Sequence, residues 1–253
     1  MDNSRSIEWL HVIRDYELNE MIKYFPANRD ISILELGAGT GYQLSKIREK
    51  YADVTGVEIE SSSYSILYGN VITYNGKVLP FEDKSFDVVF SSHVMEHISE
   101  IVDYNKEISR VLKDNGRVIH VLPSHVWRFW TSLMHYPNSI VFLANIIRST
   151  INKKYMGRIE KGKITKSKIL ANILFSETHG EMGNSLTELY YFHHHHWLKL
   201  FKKSNWKIVE YRPLGLFYWG RDFIMDSLSV NIRESIARII GSSSYIYVLK
   251  KTN

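Results

Sequence analysis

Apolar positions recur at helical spacing at the start of the chain, then give way to short apolar runs separated by polar turns. Ile7, Leu10, Ile13, Leu18, Met21, Ile22 and Phe25 predict a helix over 7–25, and Pro26 ends it. After it, strands and helices alternate. Strands are predicted at 31–36, 54–58, 71–74, 86–91 and 117–122. Helices are predicted at 43–51, 61–67 and 101–112, the last closed by Asp114-Asn115-Gly116. Such alternation builds a parallel sheet with helices on both faces. Ligands on these sheets bind beyond the carboxyl ends of the strands.

The rhythm breaks after Pro123. Residues 124–190 hold the aromatics Trp127, Phe129, Trp130 and Tyr136, an apolar run at 140–147, and a basic stretch. That stretch contains Lys153, Lys154, Arg158, Lys161, Lys163, Lys166 and Lys168. The sheet pattern then resumes with a helix at 193–203 and strands at 206–211 and 245–249. The expected organisation is a single domain over 1–253. Residues 27–122 form its ligand-binding core, 124–190 an insertion covering the ligand end, and 193–253 the last part of the sheet.

Composition narrows this only a little. The 253 residues include no cysteine, which excludes disulfides and thiolate catalysis. The start lacks the order of a secretory signal, and the run at 140–147 is far shorter than the ~20 residues that span a bilayer. The expectation is a soluble cytoplasmic protein. A net charge of +5 suits an anionic ligand or a membrane surface without demanding either.

The most informative segment is I-L-E-L-G-A-G-T-G-Y at 33–42. A strand runs into Gly37, Gly39 and Gly41, and glycine both tolerates positive φ and lacks a Cβ that would block a ligand. A dinucleotide fingerprint reads G-x-G-x-x-G. Here the third glycine comes one position early, which points away from NAD and toward a nucleoside without a pyrophosphate. Glu58 ends the second strand about 20 residues on, where a carboxylate meets ribose hydroxyls. It suits a diol because it accepts two charge-assisted hydrogen bonds.

Taken together, I-L-E-L-G-A-G-T-G-Y, G-V-E, L-P-F-E-D-K-S-F-D-V-V-F, M-E-H and the L-K-D-N-G-R-V turn resemble the class I S-adenosylmethionine-dependent methyltransferases. They occur in the family's order, over about 30–122. The resemblance implies an α/β, Rossmann-like sheet of seven strands, mostly parallel. Helices lie on both faces, the last strand is antiparallel beside the fifth, and a helical lid is inserted after strand five. It implies S-adenosyl-L-methionine as cofactor. Glu35, Gly37, Ala38, Gly39 and Gly41 would line its methionine and ribose, and Glu58 and Ile59 would flank ribose and adenine. Asn75, followed by Gly76, stands where family members often carry an aspartate that accepts from the adenine amine, and an amide oxygen can accept the same bond. Ser91, Ser92 and His93 would face the sulfonium.

A sulfonium is already a good leaving group, so the main task is to align a nucleophile with the methyl carbon and exclude water. A hydroxyl acceptor benefits from a base. His93, at the ligand end of strand four, is the first candidate. His125 directly follows strand five, and His179, in T-H-G-E-M-G with Glu181, is a candidate from the lid. His97 is expected to support its loop, and His120 to be core. His93, Glu96 and His97 have spacing that can place three ligands on one face, but no metal site is assigned. His193–His196 reads as a helix start, because four consecutive helical side chains point in different directions.

The substrate choice lies in what is added to the core. The segment T-H-G-E-M-G-N-S-L-T-E-L-Y-Y-F looks like one found in methyltransferases of bacterial surface-polysaccharide pathways. It suggests O-methylation of a saccharide or related small molecule, nucleotide- or lipid-linked. Apolar and basic residues over 127–168 suggest a peripheral contact with the inner face of the membrane. The alternatives are an RNA or protein methyltransferase using 153–168, and a cofactor-binding scaffold without activity. No N/D-P-P-Y/F motif is present, which weighs against adenine or glutamine, and no nucleic-acid partner is expected. The sequence sets no oligomeric state.

Overall fold

The computed structural model describes residues 3–62, 68, 70–151, 176, 178–218 and 228–252. In chain order the elements are α1 (Asn3–Ile22), β1 (Ser32–Leu36), α2 (Tyr42–Arg48), β2 (Asp53–Ile59), β3 (Val71–Tyr74) and β4 (Phe86–Ser92). A single 3-10 turn (Met95–His97) leads to α3 (Ile101–Val111), β5 (Leu112–Pro123) and α4 (His125–Ile151). Then come α5 (Glu188–Tyr191), α6 (His194–Lys203), β6 (Trp206–Pro213), α7 (Val230–Ile240) and β7 (Ser244–Lys251).

The seven strands form one sheet in the order β3-β2-β1-β4-β5-β7-β6. β1 to β5 pair in parallel, and β7 runs antiparallel between β5 and β6. The chain order reverses where β1 and β4 lie side by side, so a crevice opens at their carboxyl ends.

Alternation along each central strand separates two apolar layers. Ile33, Val88, Phe90, Ile119 and Val121 meet Leu18 and Met21 of α1 and Leu44 and Ile47 of α2. Leu34, Leu36, Val89, Val118 and Leu122 meet Tyr104, Ile108 and Val111 of α3 and Trp197 and Phe201 of α6. Central strands covered on both faces read as continuous apolar runs, as I-L-E-L and F-D-V-V-F do.

Asp114-Asn115-Gly116 does not separate helix from strand as expected. Phe86 pairs with Leu112 and Val88 with Arg117, so residues 113–116 form an excursion within β5. Asp87 anchors it by accepting from Ser32 N–H (2.9 Å) and Lys113 Nζ (2.7 Å). Gly116 is required there, since a Cβ would stand 2.7 Å from Leu112 Cδ1 and 3.0 Å from the Asp87 carbonyl oxygen.

L-P-F-E-D is held from α3. Arg110 donates to the carbonyls of Leu79 (2.9 Å) and Phe81 (2.7 Å), and Glu107 accepts from Leu79 N–H (3.1 Å).

The segment after β5 begins as the single helix α4. Trp127 packs with Ile13, Leu216 and Tyr218, and Trp130 with Phe217. These two aromatics of the expected membrane face are therefore partly core. Phe129, Leu133 and Tyr136 are the half-exposed ones. The lysine-rich stretch at 153–168, and most of the helix expected at 61–67, lie outside the described residues. Among the described residues no helix is long and apolar enough to cross a membrane.

Candidate functional site

The bend after β1 is built from three left-handed glycines, Gly37 (φ 66°), Gly39 (φ 53°) and Gly41 (φ 82°). Two of them are closed off by protein. A Cβ at Gly37 would lie 2.4 Å from Val94 Cγ2, and one at Gly41 would lie 1.9 Å from the Tyr68 carbonyl oxygen. Gly39 instead donates its N–H to Glu58 Oε2 at 2.7 Å, while Glu58 Oε1 accepts from Ile59 N–H at 3.0 Å. The acid ending β2 is thus fixed directly over the glycine bend. Ala38 is buried, and its N–H donates to the Val57 carbonyl (2.9 Å), tying the bend to β2. Ile59 is 38 % exposed, an apolar shelf beside Gly76 (φ 77°).

Glu35 sits under this bend, 3 % exposed, and its Oε2 accepts no hydrogen bond among the described residues. Burial pushes its carboxyl up to about 8, against the pull of Arg14. Asn75 differs from expectation. Its Oδ1 accepts from the N–H groups of Lys77 (2.9 Å) and Val78 (3.1 Å), so the acceptor intended for adenine is engaged by its own loop.

Successive residues at the end of β4 diverge. Ser91 Oγ is 2.8 Å from His120 Nδ1 on the α6 side, where His120 stacks on Phe201. Ser92 Oγ donates to Glu17 Oε2 (2.6 Å) on the α1 side and accepts from Arg14 Nη1 (2.6 Å). Only one of the two serines can therefore share a face with His93's partners, because strand side chains alternate.

His93 adopts a left-handed conformation (φ 56°), pinned by its N–H to the Val121 carbonyl (2.9 Å). Its Nε2 lies 2.9 Å from Glu17 Oε1, 3.1 Å from the Tyr218 hydroxyl and 3.4 Å from Ser244 Oγ. Its Nδ1 lies 3.5 Å from Glu96 Oε1. Burial works against a proton on this ring, but Glu17 and Glu96 outweigh it and raise the imidazole to about 9. Burial likewise raises Glu17, yet Arg14 and His93 together hold that carboxyl well below the usual range. His93 is therefore an imidazolium between two carboxylates, and it must lose that proton before it can act as a base. Arg14, Glu17, Tyr218 and Ser244 were not anticipated. One signal was present: Arg14 and Glu17 interrupt the buried stripe Ile13, Leu18 and Met21.

His179 reaches the same neighbourhood. Its Nε2 and that of His97 each lie 4.0 Å from Glu96 Oε1, and Trp127 packs on the His179 ring at 4.7 Å. Burial lowers His179 to about 4, so the ring is neutral at pH 7. His125 is placed elsewhere. It faces α5 and α6 with His193 at 4.3 Å, on a cleft of about 760 Å³ that Phe129, Trp130 and Tyr190 also line. Burial and the neighbouring imidazoles hold it near 4 as well. His193 caps α6 as expected of a helix start, its Nδ1 accepting from His195 N–H at 3.3 Å.

The sheet order, the glycine bend and the acid at the end of β2 are those of the class I S-adenosylmethionine-dependent methyltransferase fold. Residues 34–120 match the family model described as "Methyltransferase domain". S-adenosylmethionine is the cofactor of that domain. A demethylmenaquinone methyltransferase of Tropheryma whipplei is 34% identical over 105 residues, which cover 38% of this chain and 44% of the relative. The chain thus spans less than half the length of that relative. Among solved structures, an S-adenosylmethionine-dependent methyltransferase from Aquifex aeolicus aligns over 98% of both chains at 11% identity and a TM-score of 0.52. A putative methyltransferase of Haloferax volcanii, solved in complex with the Trm112 methyltransferase activator, covers 96% of this chain and 92% of its own at 13% identity and a TM-score of 0.57.

Proposed function

We propose that this protein is an S-adenosylmethionine-dependent O-methyltransferase acting on a hydroxyl of a saccharide or related small molecule. The observation that carries the reading is the Glu58 carboxylate held 2.7 Å from the Gly39 N–H at the open end of β1 and β2. A ribose diol placed there meets an acceptor already oriented. The buried, unpartnered oxygen of Glu35 supplies the counter-charge for the cofactor's ammonium, and Ile59 the apolar flank for adenine. Residues 27–122 act as the cofactor core, and 124–190 as the acceptor-side cover.

The saccharide assignment is supported by the 178–192 segment, where the Tyr191 ring packs on Gly183 of the polar turn that carries His179. Methyl transfer requires the acceptor oxygen in line with the methyl carbon, at the end of β4. His93 and His179 stand at that end through Glu96, whereas His125 belongs to the separate cleft.

Gly39→Arg is expected to abolish the titration heat with S-adenosylmethionine while the circular dichroism spectrum is kept. Unchanged heat would remove the site from this bend. The acceptor is found by incubation with methyl-labelled cofactor and fractionated extract, followed by mass spectrometry of the labelled product. A labelled nucleic acid or polypeptide, rather than a sugar hydroxyl, would overturn the substrate assignment.

A further inference from the structure

We infer that Glu96, His97 and His179 form a binding site for one divalent transition-metal ion. One ligand atom from each of the three lies within 4.8 Å of the others. Glu96 is only 1 % exposed; its Oε1 faces His93 Nδ1 at a long 3.5 Å, and its Oε2 accepts no hydrogen bond among the described residues. A buried carboxylate with one long ion pair and one unsatisfied oxygen has capacity for a further cation.

The geometry is close to what an ion needs. Bonds of about 2.1 Å in a tetrahedral site hold ligand atoms about 3.4 Å apart. The 4.0 Å separations of both imidazoles from Glu96 Oε1 close to that by well under ~1 Å, a small rotamer adjustment.

The turn that carries His179 is built into place. Glu188 Oε1 accepts from the N–H groups of His179 (2.6 Å) and Gly180 (2.8 Å). Glu188 is itself fully buried, ion-paired to Arg128 at 3.0 Å. Glu181 N–H donates to the Glu96 carbonyl at 3.0 Å, and a Cβ at Gly180 would stand 3.0 Å from that same oxygen. The turn is thereby pressed against the 3-10 segment from one side, while His93 Nδ1 orients the Glu96 carboxylate from the other at 3.5 Å. Ligands held by such neighbours are characteristic of metal sites.

Two imidazoles and one carboxylate suit Zn²⁺, Fe²⁺, Co²⁺ or Mn²⁺ better than Mg²⁺ or Ca²⁺. The side chains of His97 and His179 are 42% and 39% exposed, so an ion held by three protein ligands keeps open positions toward solvent. An acceptor hydroxyl bound there would be oriented and made more acidic without a strong protein base. That use of the ion rests on the proposed methyl transfer; the site itself does not.

Co²⁺ is the probe, because its visible absorption reports the ligand set. A second cluster of imidazoles, His125, His193 and His194, can compete for it. The full chain is therefore titrated as the His193→Ala/His194→Ala variant, with bound metal counted after dialysis. One ion per chain is expected, with affinity falling at least tenfold on adding His179→Ala or His97→Ala. The His97 change touches an exposed ring and leaves the buried supports intact. No bound ion in the parent variant, or equal affinity after both substitutions, overturns the inference. S-adenosylmethionine titration of the same proteins separates the two readings. Cofactor binding without Co²⁺ binding defeats only the metal site, and Co²⁺ binding without cofactor binding defeats only the methyltransferase reading.

Discussion

Glu35 shows how one buried atom couples chemistry to pH. Burial raises its carboxyl to about 8 in the protein, against about 4.3 in an unfolded chain. The folded state therefore holds the proton more tightly, and its stability falls as pH rises from the unfolded value through about 8. A bound ammonium favours the ionised form, so cofactor binding at neutral pH releases this proton. Affinity for S-adenosylmethionine is expected to rise with pH between about 6 and 7.5, by up to about tenfold per unit. Calorimetry in buffers of different ionisation heat measures the released proton directly. Glu35→Gln should flatten the slope, and an unchanged slope would mean that this carboxyl does not face the ammonium. Glu58→Ala removes the preset acceptor and is expected to weaken binding by about 1.5–3 kcal/mol, roughly tenfold to a hundredfold. Glu17 acts through stability instead. It is fully buried between Arg14 at 2.7 Å and His93 at 2.9 Å. Glu17→Ala removes the buried carboxylate that Arg14 and His93 share and should cost about 3–5 kcal/mol in urea unfolding.

At the scale of elements, the strands that build the crevice are legible because their demands are local. An apolar run, a left-handed glycine and a following amphipathic helix lie within one stretch of chain, and each excludes other conformations on its own. The turn at 178–181 is of another kind. It is placed by Glu188 and Arg128, which come from separate stretches of the chain and meet only in the fold. Glu188→Ala is expected to destabilise the protein by about 3–5 kcal/mol, because it removes the buried carboxylate that balances the Arg128 charge and holds the turn. Hydrogen exchange should show the loss of protection concentrated at the amides of His179 and Gly180. The D-N-G excursion is an instructive miss. Turn-forming residues were present, but β4 continued to pair on both sides of them, and the sheet absorbed the insertion as a bulge.

At the scale of the whole molecule, cofactor binding must appear as stability, since a ligand that binds only the folded chain raises its free energy of unfolding. At a hundredfold excess over the dissociation constant the gain is about 2.7 kcal/mol, which for a domain of this size raises the melting temperature by roughly 5–11 °C. The wild-type chain should show this shift with S-adenosylmethionine, and the Gly39→Arg variant none.

The sequence alone determined the alternating strands and helices, the glycine bend and its strand-end acid, because periodicity, glycine placement and a strand-end carboxylate act over a few residues; the seven-strand order and the cofactor class came from the family those motifs resemble. Tertiary structure alone decided what surrounds the reacting end. His93 meets Glu17 across 76 residues, and Tyr218 meets Glu17 across 201. Only folding shows that His93 carries a proton, that Asn75 is engaged by its own loop, and that His179 stands beside Glu96 while His125 does not. Protonation state and ligand geometry depend on which charges are buried together, and burial is a property of the packed chain.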